Sequence, residues 1–411
     1  MSRLEELIHE YCPDGVEYRT LGEITEFIRD GTHASLKDSE KGFPLLSAKD
    51  IYDGIVHVPL DCRKISYGDY KEIYKNYSLS CNDVVLTIVG TIGRTALIEN
   101  YCKDVAFQRS VAIIRPSNKV LPRFLVHVLR TKDVNNQIKK GTNQSAQGGI
   151  YLNRLSKIEI PLPPLPVQEE IVRILDSFTS LTAELEAELE ARKKQYEYYR
   201  DKILASNKEE VPIVPLSSCC SFVRGPFGGS LKKEIFVSNG YAVYEQQNAI
   251  YQNFNFRYFI TEDKYQEMKR FQVNPNDLIM SCSGTMGKVA VIPQNAPKGI
   301  INQALLKITP DPNLLSKYLK YIMESSFFSN QLMSNTRGGA IKNVASVSEL
   351  KQLKIPLPSL EQQNHIISLL DHFDILCTDL TSGLPAEIET RQKQYEYYRD
   401  KLLTFKRLEE E

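Results

Sequence analysis

A thirteen-residue segment that occurs twice constrains the fold more than any other feature of this 411-residue chain. Residues 192–204 and 391–403 are identical except that Lys193 is replaced by Gln392 and Ile203 by Leu402. Both segments consist largely of good helix formers and contain no glycine or proline. The sequence therefore predicts two matching helices produced by internal duplication.

Aromatic residues mark one face of each predicted helix. In the first copy Tyr196, Tyr199 and Ile203 follow one another at spacings of three and four residues, which is typical of an apolar helix face. We interpret the tyrosines as packing residues. A stacking platform for nucleic-acid bases is the alternative.

The segments that precede the helices are also duplicated. Residues 82–86 lead into the bend Gly-Thr-Ile-Gly-Arg at 90–94, and residues 276–280 lead into Gly-Thr-Met-Gly-Lys at 284–288. Glycine suits tight turns because it tolerates positive φ. Each copy is therefore predicted to contain a turn, a β-strand and a glycine bend followed by a cation.

A proline segment stands before each long helix. Ile-Pro-Leu-Pro occurs at 160–163 and at 355–358. Because proline restricts φ and opposes helix, we expect the helices to start at Gln168 and Gln363. The first should extend for roughly 60 Å at 1.5 Å per residue. The second should be interrupted by the glycine and proline at 382–385.

The predicted fold class is α+β, with two pseudo-twofold-related copies of a globular mixed α/β domain and long helices that pack as an antiparallel coiled coil. The first domain, with an N-terminal helix, is expected at 1–160 and the first helical spacer at 161–206. The second domain is expected at 207–355 and the second helical spacer at 356–411.

The bulk composition excludes several classes of protein. Lys plus Arg and Asp plus Glu both number 51, which argues against a wholly basic coat protein for nucleic acid but not against a local basic surface. No apolar run has the length of a membrane span and the N-terminus is not a signal peptide, so we expect a cytoplasmic protein. The eight cysteines form no Cys-x-x-Cys pair, and we expect reduced thiols and no metal site.

Known catalytic motifs are missing from the sequence. The bend that begins at Gly284 and ends at Lys288 lacks the spacing of a phosphate-binding loop, and there is no dinucleotide-binding Gly-x-Gly-x-x-Gly. We therefore expect a protein that is not an enzyme.

Loops of the two domains carry amide and basic side chains suited to DNA. Arginine prefers guanine edges, asparagine and glutamine prefer adenine edges, and lysine and arginine also hold phosphates. Any one of these residues could equally be an ordinary solvated side chain. The candidates in the first copy are Thr32, His33, Lys49, Thr91, Arg94, Gln108, Arg109, Asn143 and Gln144. Those in the second copy are Arg224, Lys232, Gln246, Gln247, Thr285, Lys288, Asn302 and Gln303.

These features together resemble a known family over essentially the whole chain. The motifs are the opening Met-Ser-Arg-Leu-Glu-Glu-Leu-Ile with Cys-Pro-Asp-Gly-Val-Glu at 12–17, the paired Gly-Thr-x-Gly bends and Ile-Pro-Leu-Pro segments, Gly-Leu-Pro-Ala-Glu-Ile at 383–388, and the two Gln-Tyr-Glu-Tyr-Tyr-Arg-Asp-Lys runs. The chain is similar to the specificity subunit of a Type I restriction-modification system.

The resemblance implies a non-catalytic DNA-binding subunit. Each domain would be a target-recognition domain that reads one half of a split sequence in double-stranded DNA. The helices would dock two modification (methyltransferase) subunits, which recruit two restriction (motor-nuclease) subunits. S-adenosylmethionine, ATP and Mg²⁺ are expected on those partners and none in this chain. The expected subunit-interface residues are Gln168, Tyr196, Tyr199, Arg200, Gln363, Tyr395, Tyr398 and Arg399.

The main alternative is a two-headed coiled-coil scaffold. In that case both domains would bind proteins through the same frame, with no role for nucleic acid.

Overall fold

The structure contains two similar series of helices and strands, as the duplicated sequence predicts. The structure, a computed structural model, describes residues 2–142, 148–205, 211–282, 287–334, 347–378 and 383–408. Unit 1 consists of Met1–Glu186 with Glu387–Glu411, and unit 2 consists of Ala187–Ala386.

Unit 1 is built on an antiparallel sheet with the strand order β2-β10-β7-β8 and a smaller sheet, β6-β3-β9, in which β3 and β9 are parallel. Strands β1 and β11, and β4 and β5, form two-stranded pairs. The helices are α1 (Arg3–Tyr11), α2 (Leu21–Ile24), α3 (Tyr67–Ile73), α4 (Pro122–Leu129), α5 (Lys132–Gly141), α6 (Leu152–Leu155) and the first part of α7 (Leu165–Ala205). The strands are β1 (Glu17–Thr20), β2 (Thr25–Asp30), β3 (Phe43–Leu46), β4 (Ile51–Tyr52), β5 (Ile55–Val56), β6 (Lys64–Ile65), β7 (Val84–Thr87), β8 (Thr95–Leu97), β9 (Ala106–Phe107), β10 (Val111–Pro116) and β11 (Glu159–Leu162).

Unit 2 repeats this plan with the sheet β13-β19-β16-β17 and the sheet β15-β14-β18, in which β14 and β18 are parallel. Strands β12 and β20 pair in the place of β1 and β11. The strands are β12 (Ile213–Pro215), β13 (Cys220–Arg224), β14 (Tyr241–Tyr244), β15 (Phe259–Ile260), β16 (Leu278–Ser281), β17 (Val289–Val291), β18 (Gly299–Ile301), β19 (Leu305–Pro310) and β20 (Lys354–Pro356). The helices are α8 (Gln246–Tyr251), α9 (Glu262–Glu267), α10 (Ser316–Glu324), α11 (Ser326–Ser334), α12 (Val347–Gln352) and α13 (Leu360–Thr378).

The sequence predicted the turns that open the central strands. Asn82 and Asn276 adopt φ values of 74° and 69°, in the left-handed region that asparagine tolerates. The apolar strands that follow, β7 and β16, are buried along their whole length. This repeated turn and strand fixes the central sheet of each unit.

The long helices run antiparallel inside each unit, as predicted. In unit 1, Phe178 stacks on Tyr398 at 5.4 Å between ring centroids, and Glu186 accepts a hydrogen bond from Gln392 of α14 (Leu384–Leu402) at 3.5 Å. The contacts pair later residues of α7 with earlier residues of α14, so the two helices run in opposite directions. In unit 2 the equivalent ring contact joins Tyr199 to Phe373 at 6.0 Å. The predicted α+β fold class with duplicated domains and antiparallel helices is confirmed.

The start of each long helix differs from the prediction. The first and second long helices begin at Leu165 and Leu360, three residues earlier than predicted. Pro166 is tolerated because the first turn of a helix needs no backbone donor. The second long helix is divided into α13 and α14, as the glycine and proline predicted. Residues 379–382 lie outside the described ranges. In the described ranges, no helix combines the length and the apolar character needed to cross a membrane.

Gln168 and Gln363 connect the helix starts to their domains. The side chain of Gln168 accepts a hydrogen bond from the Leu121 amide at 2.9 Å and donates to the carbonyls of Lys119 and Pro163 at 3.0 and 2.8 Å. Gln363 accepts from Leu315 at 2.8 Å and donates to Asn313 and Pro358 at 2.8 and 2.9 Å. Both side chains are 0% exposed. Each one therefore ties the proline segment to the loop before α4 or α10.

Replacement of Gln363 with leucine tests this link. We expect a loss of about 3 kcal/mol in the free energy of unfolding, because the partly buried Leu315 amide and Asn313 carbonyl and the buried Pro358 carbonyl lose their partner. The matched control is Gln362→Leu at the neighbouring exposed position, where only two exposed hydrogen bonds donated by Ser359 are lost and the cost should stay below about 1 kcal/mol. Denaturant unfolding of both variants measures the difference, and equal costs would contradict the role of Gln363.

Candidate nucleic-acid interface

The parallel strand pair of each unit brings the predicted DNA-binding residues together. In unit 1, Leu46 of β3 lies beside Phe107 of β9, and the backbone amide of Gln108 donates to the Leu46 carbonyl at 2.8 Å. The amide of Ala48 donates to Ser110 Oγ at 3.1 Å. Exposed Lys49 therefore comes next to the loop that carries Gln108 and Arg109.

A close backbone approach adds a second loop to this group. Gly31 follows β2, and a Cβ atom built on it would lie 2.1 Å from the Phe107 carbonyl oxygen. The approach lets the Thr32 amide donate to Phe107 at 2.8 Å and the Arg109 amide donate to Thr32 at 3.1 Å. His33, one residue further, is exposed and its Nε2 lies 2.5 Å from Asp30 Oδ2. The structure thus assembles Thr32, His33, Lys49, Gln108 and Arg109.

Unit 2 has the same construction with different side chains. Tyr244 of β14 lies beside Ile301 of β18, and the Asn302 amide donates to the Tyr244 carbonyl at 2.9 Å. Gly225 makes the equivalent approach, with a built Cβ 1.9 Å from the Asn302 carbonyl oxygen. The predicted residues that this geometry assembles are Arg224, Gln246, Gln247, Asn302 and Gln303.

The end of the glycine bend in unit 1 lines a different cleft from the group that contains His33 and Arg109. In unit 1, Gly90 and Gly93 have φ values of 80° and 93°, and Thr87 Oγ1 donates to the Thr91 carbonyl at 2.5 Å and accepts from the Arg94 amide at 2.9 Å. The Arg94 guanidinium donates to the Ile51 carbonyl at 3.3 Å and lines a cleft of about 350 Å³ against α7 and α14. Arg94 therefore does not join the residues at the strand ends.

Two other candidates, Lys288 and Lys232, lie elsewhere in unit 2. Lys288, in the matching bend of unit 2, is exposed, and its amide donates to Ser281 Oγ at 3.1 Å. Lys232 is exposed, just before a short 3₁₀ turn, Lys233–Ile235. The remaining candidates, Asn143, Gln144 and Thr285, lie outside the described residues.

Sequence analysis missed three side chains beside the first group. Asp30, Tyr151 and Asn153 line the same cleft as His33 and Arg109, with a volume of about 530 Å³. The last two lie just before and within α6, more than forty positions along the chain from Arg109. No spacing or motif connects them, so only the fold brings them together.

The expected subunit-interface residues differ in accessibility. Tyr199 and Tyr398 are 38% and 40% exposed although their rings stack on phenylalanines, whereas their neighbours Tyr198 and Tyr397 are 61% and 60% exposed and were missed. Tyr196 and Tyr395 are half-buried.

Four of the expected interface residues are buried. Gln168 and Gln363 are 0% exposed and are used internally, so an interface role for them is not supported. Arg200 and Arg399 are each 8% exposed, and the guanidinium of each is paired with the neighbouring aspartate. Among the tyrosines of the repeated helix, the exposed ones are therefore the adjacent pairs Tyr198–Tyr199 and Tyr397–Tyr398.

A buried histidine links the first domain to both long helices of unit 1. His127 of α4 is 3% exposed, with its Nδ1 2.9 Å from the Tyr395 hydroxyl and its Nε2 2.9 Å from Asp176 Oδ1. This network assigns the proton of neutral His127 to Nε2, which donates to Asp176, while Nδ1 accepts from Tyr395. In unit 2, Tyr321 takes the place of His127 and donates to Asp371 Oδ1 at 2.5 Å.

The pKa values of His127 and Asp176 are both lowered. Burial lowers the pKa of His127 below 6.5 and outweighs the opposing hydrogen bond to Asp176. Burial raises the pKa of the Asp176 carboxyl, but the contacts with His127 and Arg123 outweigh it and hold that pKa below 3.8. At neutral pH the network therefore holds a neutral imidazole and a carboxylate.

The comparisons with known proteins agree with the two-unit construction. The family model of the Type I restriction modification DNA specificity domain matches residues 13–192 and 225–390. The chain is 31% identical to the specificity subunit of the Type I restriction enzyme EcoR124I/EcoR124II of Escherichia coli, over 98% of this chain and 97% of that one. It is 32% identical to a putative Type I specificity subunit of Haemophilus influenzae, over 76% and 80%. The fold resembles a chain in a solved structure described as showing complex assembly and conformational transition of the type I R-M system, with a TM-score of 0.58, 18% identity and coverage of 95% and 98%.

The stability of unit 1 should depend on pH through His127. Because its folded pKa lies below the unfolded value, the contribution is fully present above about pH 6.5 and is lost as the pH falls from there through the folded pKa, by at most about 1.4 kcal/mol per pH unit. His127→Tyr, which copies Tyr321, should remove this dependence. Hydrogen–deuterium exchange of the α4 backbone amides, measured between pH 7.5 and 5 and corrected for intrinsic exchange rates, reports the change in stability. The amides of α10 are the internal control. The same pH dependence in the variant would assign it to another group.

Gly225 tests the close approach that positions Asn302. Gly225→Ala puts a methyl group against a backbone carbonyl that no rotamer change can move, so we expect a loss of about 1–3 kcal/mol. Gly229→Ala is the matched control, since a Cβ there meets nothing within 4 Å and its φ is not positive. Its stability should be unchanged or slightly higher. Thermal unfolding compares the two variants, and similar melting temperatures would refute the close approach.

Proposed function

The chain belongs to the family of Type I restriction-modification DNA specificity subunits, and we propose that it reads a bipartite DNA target, with one half-site for each unit. The observation that carries the proposal is the pair of equivalent polar groups at the ends of the parallel strands. One group offers Lys49, Gln108 and Arg109, and the other offers Gln247, Asn302 and Gln303 on the same backbone frame.

The chemistry of the two groups suits base edges of different kinds. Arginine makes two hydrogen bonds with guanine, and asparagine and glutamine do so with adenine. Lysine adds a contact with phosphate that carries no sequence information. A constant frame that presents different side chains is what two readers of different half-sites require.

In this proposal the chain carries no catalytic centre of its own. It would dock two modification (methyltransferase) subunits through the exposed tyrosines of the repeated helix, and these would recruit two restriction subunits. S-adenosylmethionine, ATP and Mg²⁺ would be bound by those partners, in the cytoplasm where the target DNA lies. Among the described residues, no group of three His, Cys, Asp or Glu side chains is arranged to hold a metal ion.

The alternative is a scaffold whose two domains bind proteins. Electrophoretic shift of duplex DNA with the chain and its methyltransferase subunits separates the two functions. Binding that depends on sequence and weakens steeply with salt supports the reader. Absence of any shift, with a stable complex of the proteins, supports the scaffold.

A domain exchange tests the assignment of one half-site to each unit. Replacement of residues 212–345 with the equivalent domain of another specificity subunit should change one half of the methylated sequence and leave the other half unchanged. The reason is that the reading groups of unit 1 belong to its own sheet. Mapping of methylated positions in the genome of cells that express the exchanged protein is the measurement. A change in both halves would contradict independent reading.

A further inference from the structure

An exposed phenylalanine stands in the loop of unit 2 that makes the close backbone approach. Phe227 is 94% exposed. It lies two residues after Gly225 and directly follows Pro226, which is buried. A single apolar side chain on a surface needs no explanation by itself. The surroundings of Phe227 therefore decide what its ring can bind.

The loop holds Phe227 beside the amide side chains at the strand ends. The Gly225 amide donates to the Leu305 carbonyl at 2.9 Å, and a Cβ built on Gly225 would lie 3.1 Å from Gln303 Cα. The Ser230 amide donates to the Phe227 carbonyl at 2.9 Å, in a short 3₁₀ turn. Phe227 Cα is at most about 7 Å from Gly225 Cα, which is about two base-pair steps along DNA. Phe227 therefore belongs to the same strand-end group as Gln303.

Pro226 restricts the path of this loop. In unit 1 the equivalent residue is Thr32, whose amide donates to the Phe107 carbonyl at 2.8 Å. Proline has no amide hydrogen, and its ring limits φ to about −65°. Because the backbone before Phe227 is already restricted, little conformational freedom is lost when the loop binds a partner.

Gln303 is the amide that can address a base beside Phe227. Asn302 Oδ1 already accepts a hydrogen bond from the Ala304 amide at 3.0 Å, whereas Gln303 is exposed. Glutamine makes two hydrogen bonds with adenine in the major groove. Each adenine is paired with a thymine, whose C5-methyl group lies in the same groove and makes apolar contacts with side chains such as phenylalanine. The two side chains therefore match the two bases of A·T pairs.

Unit 1 does not offer this combination. His33 stands at the position of Phe227, and its Nε2 lies 2.5 Å from Asp30 Oδ2. Arg109 stands at the position of Gln303 and suits guanine. The apolar ring thus accompanies the amide that suits adenine, and the histidine accompanies the arginine.

We propose that Phe227 reads the methyl group of a thymine in the half-site of unit 2. The inference rests on the proposed reading of half-sites and deepens it, because it assigns one chemical group of the DNA to one side chain. When the duplex is bound, the ring and the methyl group leave water together. A cytosine at that position would offer no methyl group and would place a polar amino group in the groove.

Replacement of thymine with uracil tests the contact, because uracil differs from thymine by the methyl group alone. The probes are duplexes with the mapped target, in which deoxyuridine replaces one thymine at a time in the half-site that the domain exchange assigns to unit 2. Fluorescence anisotropy measures their binding to the full chain with its methyltransferase subunits. We expect one replacement to lower the affinity about fourfold, or about 0.8 kcal/mol, the value of one buried carbon group of this size.

Two variants of the chain assign the effect to the ring. Phe227→Ala should bind the thymine and uracil duplexes equally. Tyr251→Ala is the matched control and should keep the fourfold preference, since Tyr251 is also an exposed aromatic residue of unit 2 (76%) but lies at the end of α8. Replacements at such exposed positions cost little stability, and circular dichroism checks that both variants are folded.

Each other result overturns the proposal. The methyl contact is removed if the unchanged chain binds every thymine and uracil duplex equally, if the half-site contains no thymine, or if Phe227→Ala keeps the preference for thymine. In these cases binding that still depends on sequence leaves the proposed reading of half-sites intact. Binding that does not depend on sequence overturns both.

Discussion

Two buried glutamine amides determine where each long helix meets its domain. A helix start, a proline segment and the loop before α4 or α10 all present backbone groups that must find partners once water is excluded. Gln168 and Gln363 supply those partners in the same geometry in both units. These hydrogen bonds fix the start of each long helix against the domain of its own unit.

On this fixed frame the two units differ in the side chains that they present. Gly31 and Gly225 allow the same close backbone approach, yet the residues beside them are polar groups of different kinds. The frame depends on backbone contacts and buried apolar side chains, which tolerate little change. The exposed side chains contribute little to stability and are free to differ. In the proposed function, the same backbone architecture can therefore recognise two different half-sites.

Equivalent sites of the two units also differ in the side chains that fill them. His127 and Tyr321 occupy the same place, but only the histidine has a ring nitrogen that takes up a proton as the pH falls through its lowered pKa, so this site is sensitive to acid in unit 1 and not in unit 2. Duplication produced the same backbone plan twice, and these differences lie in side chains at equivalent positions.

The sequence by itself determined the duplication, the order of domains and helices, the break before α14 and the family. These depend on local signals such as helical spacing, proline, glycine and exact repetition. Only the tertiary structure decided that Gln168 and Gln363 are internal, that Arg94 lies apart from the strand ends, and that Tyr151 and Asn153 join His33 and Arg109. A side chain that pairs with backbone groups about fifty residues away leaves no periodic trace in the sequence, since its partner is chosen by the path of the folded chain.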